Sequence, residues 1–197
     1  MNFSIISIND KRKSNIEKIV EAIGSPPEKL HSFNGNKTQD IVIFKSLHPE
    51  LCIDLYATEP RVPVNKDRRN GEIGCWMSHY HRWKHIVKNN LEDLVIFEDD
   101  CYVDKEFLER VPCVVKNIDF VLLGNWTESV FVNKKAATML VEMSKEHIKY
   151  GPVDEFLMSL IRVTGMRLNN WYVPVCGKLP ITRQLIEKYE SDIQKSN

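Results

Sequence analysis

Four apolar residues, Leu94, Val95, Ile96 and Phe97, run straight into three carboxylates, Glu98, Asp99 and Asp100. This stretch constrains the fold more than any other. The apolar run has the length and β-branched content of a strand buried on both faces. Three adjacent acids at its end repel one another and cannot all be buried without compensation. They therefore lie in a wet turn, or a cation sits among them. In an open α/β sheet, ligands bind at the carboxyl ends of the strands. The expectation is a divalent metal at this acidic corner and, through it, a phosphate-bearing substrate.

Alternation along the chain gives the fold class. Phe3–Ile8 reads as a first strand. Ser14 is a plausible N-cap with Glu17 completing a capping box, and Ile16, Ile19, Val20 and Ile23 form one apolar helix face that Gly24 ends. Lys29–Phe33 is expected as a short strand before the turn Asn34-Gly35-Asn36. Ile41–Phe44 fits strand or helix, and 60–70 reads as a polar loop. Ile73, Trp76, Met77, Tyr80, Trp83 and Val87 fall on one face of a helix over Glu72–Lys88. Further strands are expected at Asp119–Leu123, Val130–Val132 and Trp171–Val175, and helices at Lys134–Glu146 and Val153–Val163. Phe107–Val115 is helical or extended, interrupted at Pro112. Ile181, Leu185, Tyr189 and Ile193 give a C-terminal helix one face to dock. The class is α/β, with a mostly parallel central sheet flanked by helices.

Lys plus Arg number 27 and Asp plus Glu number 27, so the formal net charge is zero, which argues against nonspecific nucleic-acid binding. The five cysteines form no C-x-x-C pair and read as reduced thiols. Phe3–Ile8 is too short for a signal peptide, and no apolar stretch reaches the roughly 20 residues of a membrane span. A cytoplasmic chain is expected.

Several residues invite chemistry. His81 and His85 share one flank of their helix and Cys75 and His79 another, so these four cannot close one tetrahedral zinc site; hydrogen-bonded histidines are expected. Gly71-Glu72-Ile73-Gly74, placed just before a helix, is either a phosphate-binding turn or a plain tight turn. Asp154 and Glu155, in a helix first turn, serve either as dipole partners or as a general base.

Gly71-Glu72-Ile73-Gly74-Cys75-x-x-Ser78-His79 with Trp83 downstream, followed by Phe97-Glu98-Asp99-Asp100, resembles glycosyltransferase family 25. Ile5–Arg12, Phe33-Asn34-Gly35, Val121-Leu122-Leu123-Gly124, Phe131–Leu140 and Pro152-Val153-Asp154-Glu155 are similar to further family segments in the same order. The resemblance covers most of residues 3–176. It implies a GT-A type fold over 1–178, with 179–197 a helix packed on it. It also implies a UDP-hexose donor, galactose or glucose, with Mn²⁺ or Mg²⁺ and a carbohydrate or glycoconjugate acceptor. Glu98-Asp99-Asp100 becomes this chain's version of the DxD motif, with Asp100 and Glu98 at the metal and Glu98 or Asp99 facing the ribose or donor sugar. Asn9, Arg12 and Ser78 join the donor site, and Asp154 becomes the base of an inverting displacement. The turn Asn9-Asp10-Lys11-Arg12 lacks the leucine common after the asparagine in this family. The chain is also short, which suits a minimal enzyme or one relying on a partner or oligomer for its acceptor. A catalytically silent binding or scaffold subunit is the alternative, and a metal-dependent phosphohydrolase a weaker third.

Overall fold

The computed structural model describes residues 1–8, 10–55, 66–103, 107–116, 118–124, 127–148, 151–164, 171–172 and 182–184. The strands are β1 (Phe3–Ile6), β2 (Asp93–Glu98), β3 (Cys101–Val103), β4 (Phe120–Leu122), β5 (Ser129–Asn133), β6 (Trp171–Tyr172) and β7 (Thr182–Gln184). The helices are α1 (Lys13–Ile23), α2 (Thr38–Leu47), α3 (Lys66–Asn89), α4 (Phe107–Val115), α5 (Lys134–His147) and α6 (Val153–Thr164). The class is mixed α/β, as the alternation predicts.

The sheet is not mostly parallel. Its order is β1-β2-β5-β4-β6. β1 and β2 pair in parallel, as do β4 and β6, but β5 runs against both of its neighbours. The reason is loop length. Only residues 123–128 separate β4 from β5, too few for the crossover of a dozen or more residues that a parallel pair needs. One reversed strand thus sits among four that share a direction, and it brings its amino end to the edge where β1 and β2 present their carboxyl ends.

Side chains alternate across β2 and divide the core. Leu94 and Ile96 pack with Trp76, Met77, Tyr80 and Trp83 of α3 and with Ala137 and Leu140 of α5. Val95 and Phe97 pack on the other face with Ile19 and Ile23 of α1 and Phe107 and Val111 of α4. All four β2 side chains are fully buried, and truncating one such as Ile96 to alanine would cost about 2–5 kcal/mol.

Local chemistry sets the element ends. Gly24 closes α1 in the left-handed region at φ 69°, its N–H bonded to Val20 O. Ser14 is not the N-cap: a 3₁₀ turn over Asp10–Arg12 leads into α1, and Arg12 stands at its boundary. The buried face of α1 is Asn15, Ile19 and Ile23 rather than one starting at Ile16. Asn133 caps α5 by accepting the Ala136 N–H.

Lys29–Phe33 forms no strand; Ser32 spends its hydroxyl on the Ser7 N–H and Phe33 turns into the core against Phe44. Ile41–Phe44 is helical, within α2. Lys66–Asn70, read as loop, is already helix, so α3 starts earlier than its apolar periodicity suggests, and Gly71 and Gly74 lie inside it, not in a turn before it. α4 continues through Pro112. Thr182–Gln184 is a strand paired with β3, not helix; the rest of 179–197 lies outside the described residues, as do 56–65.

Candidate active site at the carboxyl end of β2

The acidic turn is not wet. Asp99 and Asp100 are only 4% and 7% exposed. The parallel register carries the chain from Glu98 into the turn, where the Asp99 N–H donates to Ile6 O at 3.0 Å. Asn15 reaches up from α1 and donates from Nδ2 to the backbone oxygens of both Asp99 and Cys101, each at 2.8 Å. Arg12, one turn before, pairs its guanidinium with Asp99 and stands 3.8 Å from Asp100. The sequence placed a cation or water among these acids; the structure supplies one guanidinium.

Strand alternation separates the acids. Asp99 turns toward α1, whereas Glu98 turns toward α3. There His79 Nε2 lies 3.3 Å and Cys75 Sγ 3.9 Å from Glu98 Oε1. The three ligand atoms stand within 4.8 Å of one another. His81 and His85 face elsewhere, as the helix geometry predicts. His81 contacts His48 Nε2 at 2.8 Å, and His85 meets Asn89.

Asp154, in the first turn of α6, is brought to the same place. Thr127, just ahead of β5, donates its hydroxyl to Asp154 Oδ1 at 2.9 Å and lies 3.5 Å from Glu98 Oε1. The reversed strand makes this possible, and the Glu98 N–H bonds to Glu128 O at 2.8 Å. Glu155 is exposed and folds over Gly151, so Asp154 is the member of the pair that meets the cluster.

The electrostatics follow from this crowding. Burial pushes the Glu98 carboxyl well above its ordinary range, and Asp154, Asp100, Asp99 and Glu128 push it further. Burial raises Asp154 too, against the lowering effect of the Thr127 hydrogen bond. Asp99 is raised by burial and held back by Arg12. His79 is pulled down to about 3 by burial and by Arg82, so its imidazole is neutral near pH 7. The Cys75 thiol is pushed up by burial and by Glu98. The corner holds more negative charge than Arg12 balances, which is the environment a dication relieves.

Among the other expected site residues, Asn9 lies outside the described residues. Ser78 is fully buried and its hydroxyl accepts the Phe33 N–H at 2.9 Å. The sequence motifs Phe33-Asn34-Gly35 and Gly74–Ser78 thus pack on each other: a Cβ on Gly74 would stand 2.8 Å from Phe33 O and 2.9 Å from Gly35 N. Beneath them Arg82, fully buried, donates to Ser4, Ser32 and the backbone oxygens of Ile5, His31 and Ser78. Sequence reasoning missed Asn15 and Thr127, which no pattern marks, and missed Glu98 as the partner of Cys75 and His79. The i, i+4 spacing of that pair is the signal that could have found it.

A sequence model of glycosyltransferase family 25 (LPS biosynthesis protein) matches residues 1–162. Procollagen galactosyltransferase 2 of Homo sapiens is 35% identical over 65 residues, 33% of this chain and 10% of that protein. A glycosyltransferase 25 family member of Aedes aegypti is 37% identical over 65 residues, again 33% and 10%. The probable inactive glycosyltransferase 25 family member 3 of Rattus norvegicus is 26% identical over 143 residues, 57% of this chain and 25% of that protein. The matched segments therefore span a quarter or less of these relatives' length. The chain belongs to glycosyltransferase family 25.

Proposed function

We propose that this family 25 member moves a hexose, galactose or glucose, from a UDP-sugar to a hydroxyl of a carbohydrate or glycoconjugate acceptor. The fold would be of GT-A type, the displacement inverting, and the metal Mn²⁺ or Mg²⁺. The observation that carries the reading is that α6 and the loop before β5 deliver Asp154 and Thr127 to the acidic end of β2. A base and a charge-hungry turn then face one space.

The donor set fits a hard divalent ion: Glu98 and Asp100 are carboxylates on the same turn, in a corner where negative charge exceeds positive. Bound there, such an ion would supply Lewis-acid neutralisation of the diphosphate leaving group, worth several kcal/mol. The chain's own residues do the rest. Arg12 fixes Asp99 and orients the turn, at the strand edge where Asn9 and the donor's uridine would lie. Ser78 acts through the Phe33–Gly35 loop it holds. Asp154, oriented by Thr127, takes the proton of the acceptor hydroxyl as that oxygen attacks the anomeric carbon, and burial tunes the carboxyl upward toward proton-accepting strength.

Calorimetry and transfer assays test this together. Wild type should bind UDP in a Mn²⁺-dependent manner, and Asp100→Ala should lose that dependence. Asp154→Asn should keep UDP binding and lose transfer by roughly 10²-fold or more. Equal loss of both would make Asp154 structural. The similarity to a relative named as probably inactive supports a second reading, a silent binding subunit; no Mn²⁺-dependent UDP binding in the wild type would favour it.

A further inference from the structure

We propose that Cys75, His79 and Glu98 form a second cation site, selective for a thiophilic divalent ion of the zinc class, on the α3 side of the acidic turn. Cys75 Sγ and His79 Nε2 lie 3.9 Å and 3.3 Å from the same oxygen, Glu98 Oε1. With Zn–S of about 2.3 Å and Zn–N and Zn–O of about 2.0–2.1 Å, the S···O and N···O edges of a tetrahedral site measure about 3.5 and 3.3 Å. The three atoms therefore already stand near the corners of one tetrahedron. An ion requires a shift of only a few tenths of an ångström at the sulfur.

The scaffold is rigid. Cys75 and His79 are one turn apart on the 24-residue helix α3, and Glu98 ends a strand buried on both faces. Cys75 and the Glu98 side chain, the latter 21% exposed, leave a path for entry. The donors distinguish this site from the all-oxygen turn beside it: thiolate and imidazole select zinc-class ions, whereas carboxylates alone suit Mg²⁺ and Mn²⁺. Three protein ligands with the fourth position left to solvent or substrate is the arrangement of an open zinc site. On binding, Cys75 gives its proton to solvent and the ion takes the resulting thiolate. His79 Nδ1 is buried without a hydrogen-bond partner among the described residues. It carries the ring proton when Nε2 binds, and the missing acceptor there weakens the site. Because Glu98 belongs to both sites, a zinc-class ion would compete with the hard ion of the proposed transfer reaction.

The test uses the chelator-stripped full chain under reducing conditions, with Co²⁺ as the spectroscopic probe and Zn²⁺ as the competitor. Wild type should develop a thiolate-to-cobalt charge-transfer band that saturates at one ion per chain and that Zn²⁺ abolishes. Cys75→Ser should lack the band and bind Zn²⁺ about tenfold or more weakly against a chromophoric chelator, while its unfolding curve shows that it folds. Replacing the exposed Cys52 by serine should change neither. No band in wild type, a band surviving in Cys75→Ser, or a sulfur-free cobalt spectrum such as the His48–His81 pair would give, would each overturn the proposal. None of these readouts depends on transfer activity, so the glycosyltransferase reading stands or falls separately.

Discussion

The Thr127 hydroxyl donates to Asp154 Oδ1 at 2.9 Å, and this one bond holds the proposed base in place. It favours the charged form of a carboxyl that burial otherwise drives upward. Thr127→Val removes the donor at nearly constant size, so the Asp154 pKa should rise. The acidic limb of kcat/KM against pH should move to higher pH, with a loss of about tenfold at neutral pH, since a shift of one unit costs a factor of about ten in the basic form. Thr127→Ser should restore the limb. A profile that does not move would confine Thr127 to a packing role.

Gly74 allows α3 to touch the Phe33–Gly35 loop backbone to backbone. An alanine methyl there would meet two backbone atoms closer than 3.0 Å, and neither is the end of a flexible side chain. Gly74→Ala should destabilise by about 1–3 kcal/mol despite alanine's better helix propensity. For a chain of this size that is a melting-temperature fall of about 2–4 °C per kcal/mol, readable by calorimetry.

That glycine marks where the sequence stops being legible. A glycine pair suggests a turn when only local propensity is considered, and here tertiary contact overrides it: the helix runs through both, and Gly74 is needed for what it touches. β2 and its acids were legible because an apolar run ending in carboxylates has few alternatives. Asp154 was legible only through a resemblance. The direction of β5 leaves no periodic trace in side chains and had to be inferred from the shortness of the loop at 123–128. The face of α1 was misjudged because Asn15, a polar residue, takes a core position for its hydrogen bonds. The meeting of Cys75, His79 and Glu98 depends on how α3 lies under β2, which periodicity within either segment cannot reveal.

Asn15 tethers the acidic turn. Its Nδ2 serves two backbone oxygens, and Asn15→Ala would leave both without that donor in a buried setting. The expected cost is about 1–3 kcal/mol, with weaker Mn²⁺ binding as the turn loosens. Ile19→Val, which trims the same helix face, should cost about 0.5–1.5 kcal/mol and leave Mn²⁺ affinity unchanged. Parallel denaturant unfolding and metal titration would separate the tether from simple packing.

Glu98 should make the metal-free fold less stable as pH rises. Its folded pKa is raised well above 4.5, the value it regains on unfolding. Between those two values the folded chain keeps a proton that the unfolded chain has lost, so stability falls with pH through that window. Glutamine carries no such penalty and keeps an acceptor for His79. Glu98→Gln should therefore be more stable than wild type in chelator at neutral pH, and the gap should close as pH falls toward 4.5. His79 works in the opposite sense: with its pKa pulled from 6.5 to about 3, protonation of the unfolded chain erodes stability below pH 6.5. Both proteins share that loss, so it cancels in the difference. Mn²⁺ should then invert the order, because an ion at 100 times its Kd adds about 2.7 kcal/mol to whichever protein binds it, and glutamine offers a poorer ligand. Unfolding of both proteins from pH 5 to 8, with chelator and with Mn²⁺, measures all three effects; a gap that stays constant with pH would mean that Glu98 is not the strained acid of this corner.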